Sequence, residues 1–204
     1  MGLDMYLQEE VYISRSPSLA ESRPDSEWAE SLPKANQILE LAGLKTEAEG
    51  GVYVKSTVGY WRKANAIHRW FVENLAAGVD ECQEIEVSRE QLTELRDTCL
   101  KVLDNVKVKE TERMIDTMMP GGGIKKKPYM VRRVLNPEVC ETHLPTTSGF
   151  FFGSTDYDEG YLSDLEDTVN IIDRVLENQP MVTYERDGKE VTYPATDFTY
   201  RASW

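Results

Sequence analysis

The apolar positions follow two rhythms. Residues 3–13 carry Leu3, Met5, Tyr6, Leu7, Val11, Tyr12 and Ile13 in loose alternation, which predicts a strand that begins almost at the first residue. Residues 14–31, rich in Ser, Pro and Glu, read as a loop. A short helix is predicted from Pro33 to Gly43, with Ser31 at its cap, Pro33 in its first turn and Gly43 as its stop. Residues 45–51 read as a polar linker. The longest helical rhythm runs from Val58 to Ala77. At about 100° per residue, Tyr60, Ala64, Ile67, Phe71 and Leu75 share one stripe, with Trp61, His68 and Val72 beside it and Arg62, Arg69 and Glu73 opposite.

Residues 83–87 alternate and predict a short strand. Ser88 followed three residues later by Gln91 forms a capping-box signature, so a helix is predicted from Arg89 to about Asn105 on the stripe Leu92, Leu95, Cys99, Val102. Residues 107–119 read as a second helical piece, broken by the P-G-G-G-I-K-K-K-P run from Pro120 to Pro128. A glycine-bounded apolar run, Gly149 to Gly153, precedes Ser154, Thr155 and Asp156, which offer caps for a helix on Leu162, Leu165, Val169, Ile172, Val175 and Leu176 that ends near Asn178. The segment V-T-Y-E-R-D-G-K-E-V-T-Y predicts a hairpin turning at Asp187-Gly188, and Phe198 to Trp204 alternate as a closing strand. The expected fold is α+β: a small antiparallel sheet with the terminal strands paired, covered by about three main helices. One domain over 1–204 is expected, with a loop or insertion at 107–140 and a hairpin at 181–195.

Charge changes the picture. The 204 residues hold 23 basic and 36 acidic side chains, a net −13, which repels nucleic acid phosphates over most of the surface. Residues 107–133 depart from this with eight basic and three acidic residues, so the remainder stands at −18. Such a basic segment on an acidic body reads as a loop that folds back or meets a partner rather than as a DNA-binding arm. No apolar run approaches the roughly 18 residues of a membrane span, and the first residues lack the basic and apolar regions of a secretory signal. Cys82, Cys99 and Cys140 are widely spaced and odd in number, which speaks against a disulfide framework and a zinc ribbon and fits a reducing compartment.

Candidate chemistry is sparse. The only histidines are His68 and His143, no H-E-x-x-H occurs, and no metal or cofactor is expected. The Gly121 to Lys127 run lacks the Ser or Thr after Gly-Lys that a phosphate loop requires. The segment Val58 to Phe71 says more. On a helix, Trp61, Asn65 and His68 share one flank, where an indole, an amide and an imidazole suit a base or sugar. Arg62 and Lys63 stand nearby to neutralise a phosphate. The Phe150, Phe151, Phe152 run reads either as a buried central strand or as an aromatic wall beside that flank. The expected ligand-binding set is therefore Trp61, Arg62, Lys63, Asn65, His68 and Phe150.

Five stretches together resemble a family of small bacteriophage and prophage proteins: M-G-L-D-M-Y-L at the start, V-G-Y-W-R-K-A-N-A-I-H-R-W-F, V-S-R-E-Q-L, L-P-T-T-S-G-F-F-F-G-S-T-D-Y-D, and the final Y-R-A-S-W. The resemblance implies an accessory role in the cytoplasm of a bacterial host and carries over no active-site residues. Members labelled phosphoglycerate kinase do not extend that activity here, because the chain is far shorter than such an enzyme and has none of its nucleotide-binding glycine loops. The expected function is non-catalytic binding of a phosphorylated or nucleotide-like small ligand, in a setting where it would sequester a host defence signal. The alternatives are an acidic inhibitor of a host protein and a hydrolase using His68. A second copy of the chain is a further candidate partner.

Overall fold

In a computed structural model the structure describes residues 2–17, 31–44, 50–186 and 188–204. Most of the expected 14–31 loop, residues 45–49 of the expected 45–51 linker and Asp187 of the expected turn lie outside the described residues. Among the described residues, five helices and eight strands make an α+β fold. They run β1 (Asp4–Ser14), α1 (Ser31–Leu41), β2 (Gly51–Arg62), α2 (Asn65–Leu75), β3 (Ile85–Val87), α3 (Arg89–Asn105), β4 (Val108–Met118), β5 (Ile124–Val134), α4 (Glu138–His143), α5 (Glu159–Asn178), β6 (Met181–Arg186), β7 (Lys189–Pro194) and β8 (Asp197–Ser203).

The central sheet has the order β2-β1-β8-β3, with all neighbours antiparallel. The first and last strands pair, Asp4 opposite Ser203 through Glu10 opposite Asp197. Period-two alternation decides which face is covered. Leu3, Met5 and Leu7 at one end of the chain and Phe198, Tyr200 and Ala202 at the other lie buried under α2, α3 and α5. The sheet's helices come close enough that Gly59 of β2 has no room for a side chain, since a Cβ there would lie 2.7 Å from Ile171 Cγ2 of α5. Beyond Leu7 a register shift interrupts the β1–β2 ladder, and the far half of that hairpin leaves the core.

The capping box forms as expected: Ser88 Oγ accepts from the Gln91 backbone N–H and the Gln91 side chain accepts from Ser88 N–H. Cys99 is fully buried on α3, and burial pushes its thiol up to about 12, so it packs as an apolar side chain and not as a nucleophile. Helix α1 starts at Ser31 itself, which lies inside the helix and not before it. Helix α5 is capped later than expected, by Asp158, whose carboxylate accepts from the Gly160 and Tyr161 N–H groups. The 181–194 hairpin is present.

One expected helix is shortened to its second half and another is replaced by a strand. Val58 to Arg62 belongs to β2, not to the helix predicted from Val58, and α2 begins only at Asn65. Between them Lys63 takes a left-handed backbone (φ 62°), its N–H donating to Leu3 O, and turns the chain sharply from sheet to helix. Residues 108–118 form a strand paired with 124–134 across the glycine turn, so the predicted second helical piece and loop are one long two-stranded ribbon. Pairing overrides the helix preference of its Glu, Arg and Met residues.

On α5 the Asp164 carboxyl, largely desolvated and close to Asp167 and Asp158, is raised to about 7. In the unfolded chain it ionises near 4. The folded state therefore holds the proton more tightly, and this group's favourable contribution is complete below about pH 4 and lost as pH rises to about 7. Asp164→Asn is expected to raise stability at pH 8 by on the order of 1–2 kcal/mol after solvent screening, and to leave it nearly unchanged at pH 4. Urea unfolding at the two pH values measures the difference.

Candidate functional site

The polar residues of the 58–71 segment are brought into the core, each bridging a different pair of elements. Trp61, at the end of β2, is 3% exposed, and its indole Nε1–H donates to Thr168 Oγ1 of α5 at 2.9 Å. Asn65 opens α2 and is 4% exposed. Its Nδ2 donates to Phe152 O (3.1 Å) and Ser154 O (2.7 Å), while its Oδ1 accepts from Thr147 N–H (3.1 Å). One amide thus ties down both sides of the 147–154 loop. His68, one turn further, is 1% exposed. Its Nδ1 lies 2.7 Å from the Tyr200 hydroxyl and its Nε2 2.9 Å from Asp80 Oδ2. An imidazole with its N–H on Nε2 satisfies both, accepting from Tyr200 and donating to Asp80; this tautomer follows from the network. Burial holds the Tyr200 phenol well above its ordinary range, so it remains a donor. Both ring nitrogens are thus engaged by protein groups.

Trp61, Asn65 and His68 therefore do not form the single binding flank expected; of the three, His68 alone lines the cleft described next. The reason is the strand end at Arg62: the i, i+4, i+7 relation assumed one continuous helix. Arg62 and Lys63 are exposed but do not line the cleft described next. Arg62 lies 3.9 Å from Asp4, and the Lys63 stem packs beside Gly153, whose absent Cβ would lie 3.2 Å from it.

A cleft of about 470 Å³ does open against α2. His68 is at its floor, with Arg69, Val72 and Glu73 of the same helix; Gly78 and Asp80 come from the following loop, residues 147–152 form one wall, and Trp204 lies at the rim. The glycine-bounded run is a turn, not a buried strand. Phe152 N–H donates back to Gly149 O, and Leu3 N–H donates to Phe151 O, which fixes the turn on the sheet. Phe152 sits edge-on to the His68 ring at 5.2 Å and packs near Trp204. Phe150 is held outward, 95% exposed, with Phe151 edge-on against it. Arg69 Nη1 donates to Thr146 O and braces the same wall. Asp80 joins both sides of the cleft, accepting from His68 through one oxygen and from Trp204 Nε1–H through the other.

Of the expected set, then, His68 and Phe150 meet at this cleft, and Trp61 and Asn65 support it from behind. Asp80, Arg69, Glu73 and Trp204 were missed. Trp204 lies far from the helix in sequence and is joined to it only by tertiary packing, while Asp80 sits in the loop directly after it, whose course back over the helix the sequence does not show. The segment also concentrates unusual backbone: Lys63, Ala77 and Cys82 are the non-glycine residues with positive φ among the described residues, and all three flank α2 and its following loop. Strain of this kind collects where a site is held in a fixed shape. No group of three or more His, Cys, Asp or Glu residues that could hold a metal occurs among the described residues. No helix among them is long and apolar enough to cross a membrane. Compared with family models, curated proteins and solved structures, the chain matches none.

Proposed function

We propose that the protein is a non-catalytic binder of a small, planar, nucleotide-like ligand, with the ring held at the aromatic rim of this cleft. One observation carries the reading: Phe150, almost wholly exposed, and Trp204, 42% exposed, stand at the mouth of a concavity whose size suits a small ligand. Exposed aromatic rings on a backbone fixed from beneath by Asn65 and Leu3 offer stacking faces with little ordering cost. Asp80 and Glu73 supply acceptors for a ring amino group, Thr147 and Ser148 hydroxyls for a sugar, and Arg69 a cation for a phosphate. In the phage setting that the sequence motifs imply, such a binder would withhold a host nucleotide signal.

The test is thermal unfolding against a panel of nucleosides and nucleotides. A ligand at a hundred times its Kd adds about 2.7 kcal/mol of stability, an easily read rise in Tm for a chain of this size. Phe150→Ala should leave the free protein's Tm nearly unchanged, since the ring is exposed, yet weaken ligand binding roughly 10–100-fold through lost stacking. A panel without any shift would set the reading aside.

The charge inside the cleft favours a second reading, an acidic inhibitor of a host protein. Two carboxylates, Asp80 and Glu73, face one guanidinium, Arg69, which is already bonded to Thr146 O. Aromatic rings beside carboxylates suit an Arg or Lys side chain of a basic partner. Salt-sensitive capture of a single host protein, lost in Phe150→Ala, would support this reading over the first.

A further inference from the structure

The β4–β5 ribbon sorts its charges by face. Its register pairs Val108 with Val134 and Met118 with Ile124 without a break, so directly opposed residues share a face and alternate positions lie on opposite faces. One face carries Glu110, Glu112 and Asp116 with Lys126 and Arg132. The other carries Lys109, Arg113, Lys125, Lys127 and Arg133 with no carboxylate of the ribbon's own, interspersed with Thr111, Ile115, Thr117, Tyr129 and Val131; acids of the body approach it at the base, where Asp158 lies opposite Arg133 and, with Asp156, lines a groove shared with Arg113 and Arg133. All five cations of that face are exposed, and none has an ion pair within 4.0 Å among the described residues. Arg132, on the first face, is consumed by Glu159 and Glu166 of α5. The ribbon is clamped only at its base, where Val134 N–H donates to Tyr157 O, Leu135 N–H to Lys107 O, and Asn136 bonds both Lys107 N–H and Asn105 O. From there eleven-residue strands project about 36 Å, at roughly 3.3 Å per residue, to the glycine turn.

We propose that this ribbon is a duplex-DNA binding arm, its all-cationic face set against backbone phosphates. The conclusion is independent of the cleft. Beyond the base, where Asp156 and Asp158 lie, this face presents cations without carboxylates and so matches a polyanion that carries no positive charge. A two-stranded ribbon is also one of the shapes that the major groove of B-form DNA admits, whereas the deep, narrow major groove of duplex RNA excludes it. The −18 remainder of the chain keeps DNA off the rest of the surface, so contact is confined to the arm. Net charge conceals this arrangement, because the three acids of the segment lie on the ribbon's opposite face.

Fluorescence anisotropy of the full chain with a labelled DNA duplex of about two helical turns tests the proposal. With five phosphates engaged, affinity should fall about 500-fold between about 50 and 200 mM salt. Lys125→Glu with Lys127→Glu, both exposed and far from the core, should weaken binding and flatten the log–log salt slope by about 1.8. Unchanged circular dichroism and Tm would show the double variant folded. Absence of binding at low salt would overturn the proposal and leave the lysines as guards of an exposed strand edge. Equal binding by the double variant would overturn it, as would tighter binding to duplex RNA. So would a salt-sensitive dimer that the variant dissociates in place of DNA binding, since the ribbon would then rest on the acidic body of a second copy.

Discussion

His68→Ala is expected to cost about 3–5 kcal/mol, as much as truncating a buried aromatic side chain of the core. The ring is 1% exposed and links three elements through two hydrogen bonds, to Tyr200 of β8 and to Asp80 of the loop after α2. Its removal strands the Tyr200 hydroxyl, which is itself 1% exposed and stacked on Phe71 at 3.8 Å. It also takes away the edge contact to Phe152 and releases Asp80, which orients Trp204. Both a cavity and an unsatisfied polar group result, and their costs add. A pairing test separates the polar term from the packing term. His68→Phe keeps most of the volume but orphans the hydroxyl. Adding Tyr200→Phe removes the orphan, so the double variant should be more stable than the sum of the singles by at least about 1 kcal/mol. Urea unfolding of the four proteins gives the coupling directly. Strict additivity would mean that the Tyr200–His68 bond contributes nothing.

Asn65→Ala should also be costly, on the order of 2–4 kcal/mol and roughly 5–12 °C in Tm, because one amide serves three backbone groups of the 147–154 loop. Its consequence for the cleft should exceed its consequence for the core. Leu3 and Arg69 still hold the loop at Phe151 and Thr146, so the chain folds, but the phenylalanine turn loses its anchor on α2. Hydrogen exchange at Thr147 to Phe152 should accelerate while the amides of α3 and α5 keep their protection. Asn65→Asp is the informative companion: it retains the acceptor for Thr147 N–H and replaces two donated bonds with repulsion toward Phe152 O and Ser154 O. It should be no more stable than the alanine variant. A variant as stable as the native chain, with unchanged exchange in the loop, would remove Asn65 as the support of the cleft.

The legible parts of the fold were those whose signals are local. Ser88 and Gln91 announce a helix start within four residues, and the capping box closes as its sequence implies. The alternation at both termini is equally local, and the pairing of β1 with β8 follows from burying Leu3, Met5, Leu7, Phe198, Tyr200 and Ala202 on one face. The failures came where two periods overlap. Tyr60 and Ala64 fit a helical stripe with Ile67 and Phe71, yet Tyr60 belongs to a strand, and the left-handed turn at Lys63 has no glycine to mark it. The ribbon was missed because a strand exposed on both faces has no apolar alternation to read. Its partner strand and the Gly121–Gly122 turn define it, and that pairing is not local.

The candidate site was half legible for a related reason. The concentration of Trp61, Asn65 and His68 in one segment did mark something built with care, but what it marks is the support of a cleft and not its lining. Residue type could not distinguish a side chain that binds a ligand from one that holds the wall behind it. Phe150 was legible because three phenylalanines between glycines cannot all be buried on one side of a strand, and the exposed one is the ring at the rim. Trp204 could not be found from sequence, because its neighbourhood is created when the C-terminal strand closes beside β1, and Asp80 carried no signal because the loop after α2 has no periodicity to fold it back onto His68.

The cleft itself is tested most directly by titrating the ¹⁵N-labelled protein with a nucleoside monophosphate and following its amide and indole signals. The indole N–H of Trp204, bonded to Asp80 at the rim, should shift first and furthest, together with the amides of Thr147 to Phe152, while the buried indoles of Trp61 and Trp70 stay in place. Saturating shifts confined to any other surface, with Trp204 and the phenylalanine turn unmoved, would contradict the assignment of this cleft as the ligand site.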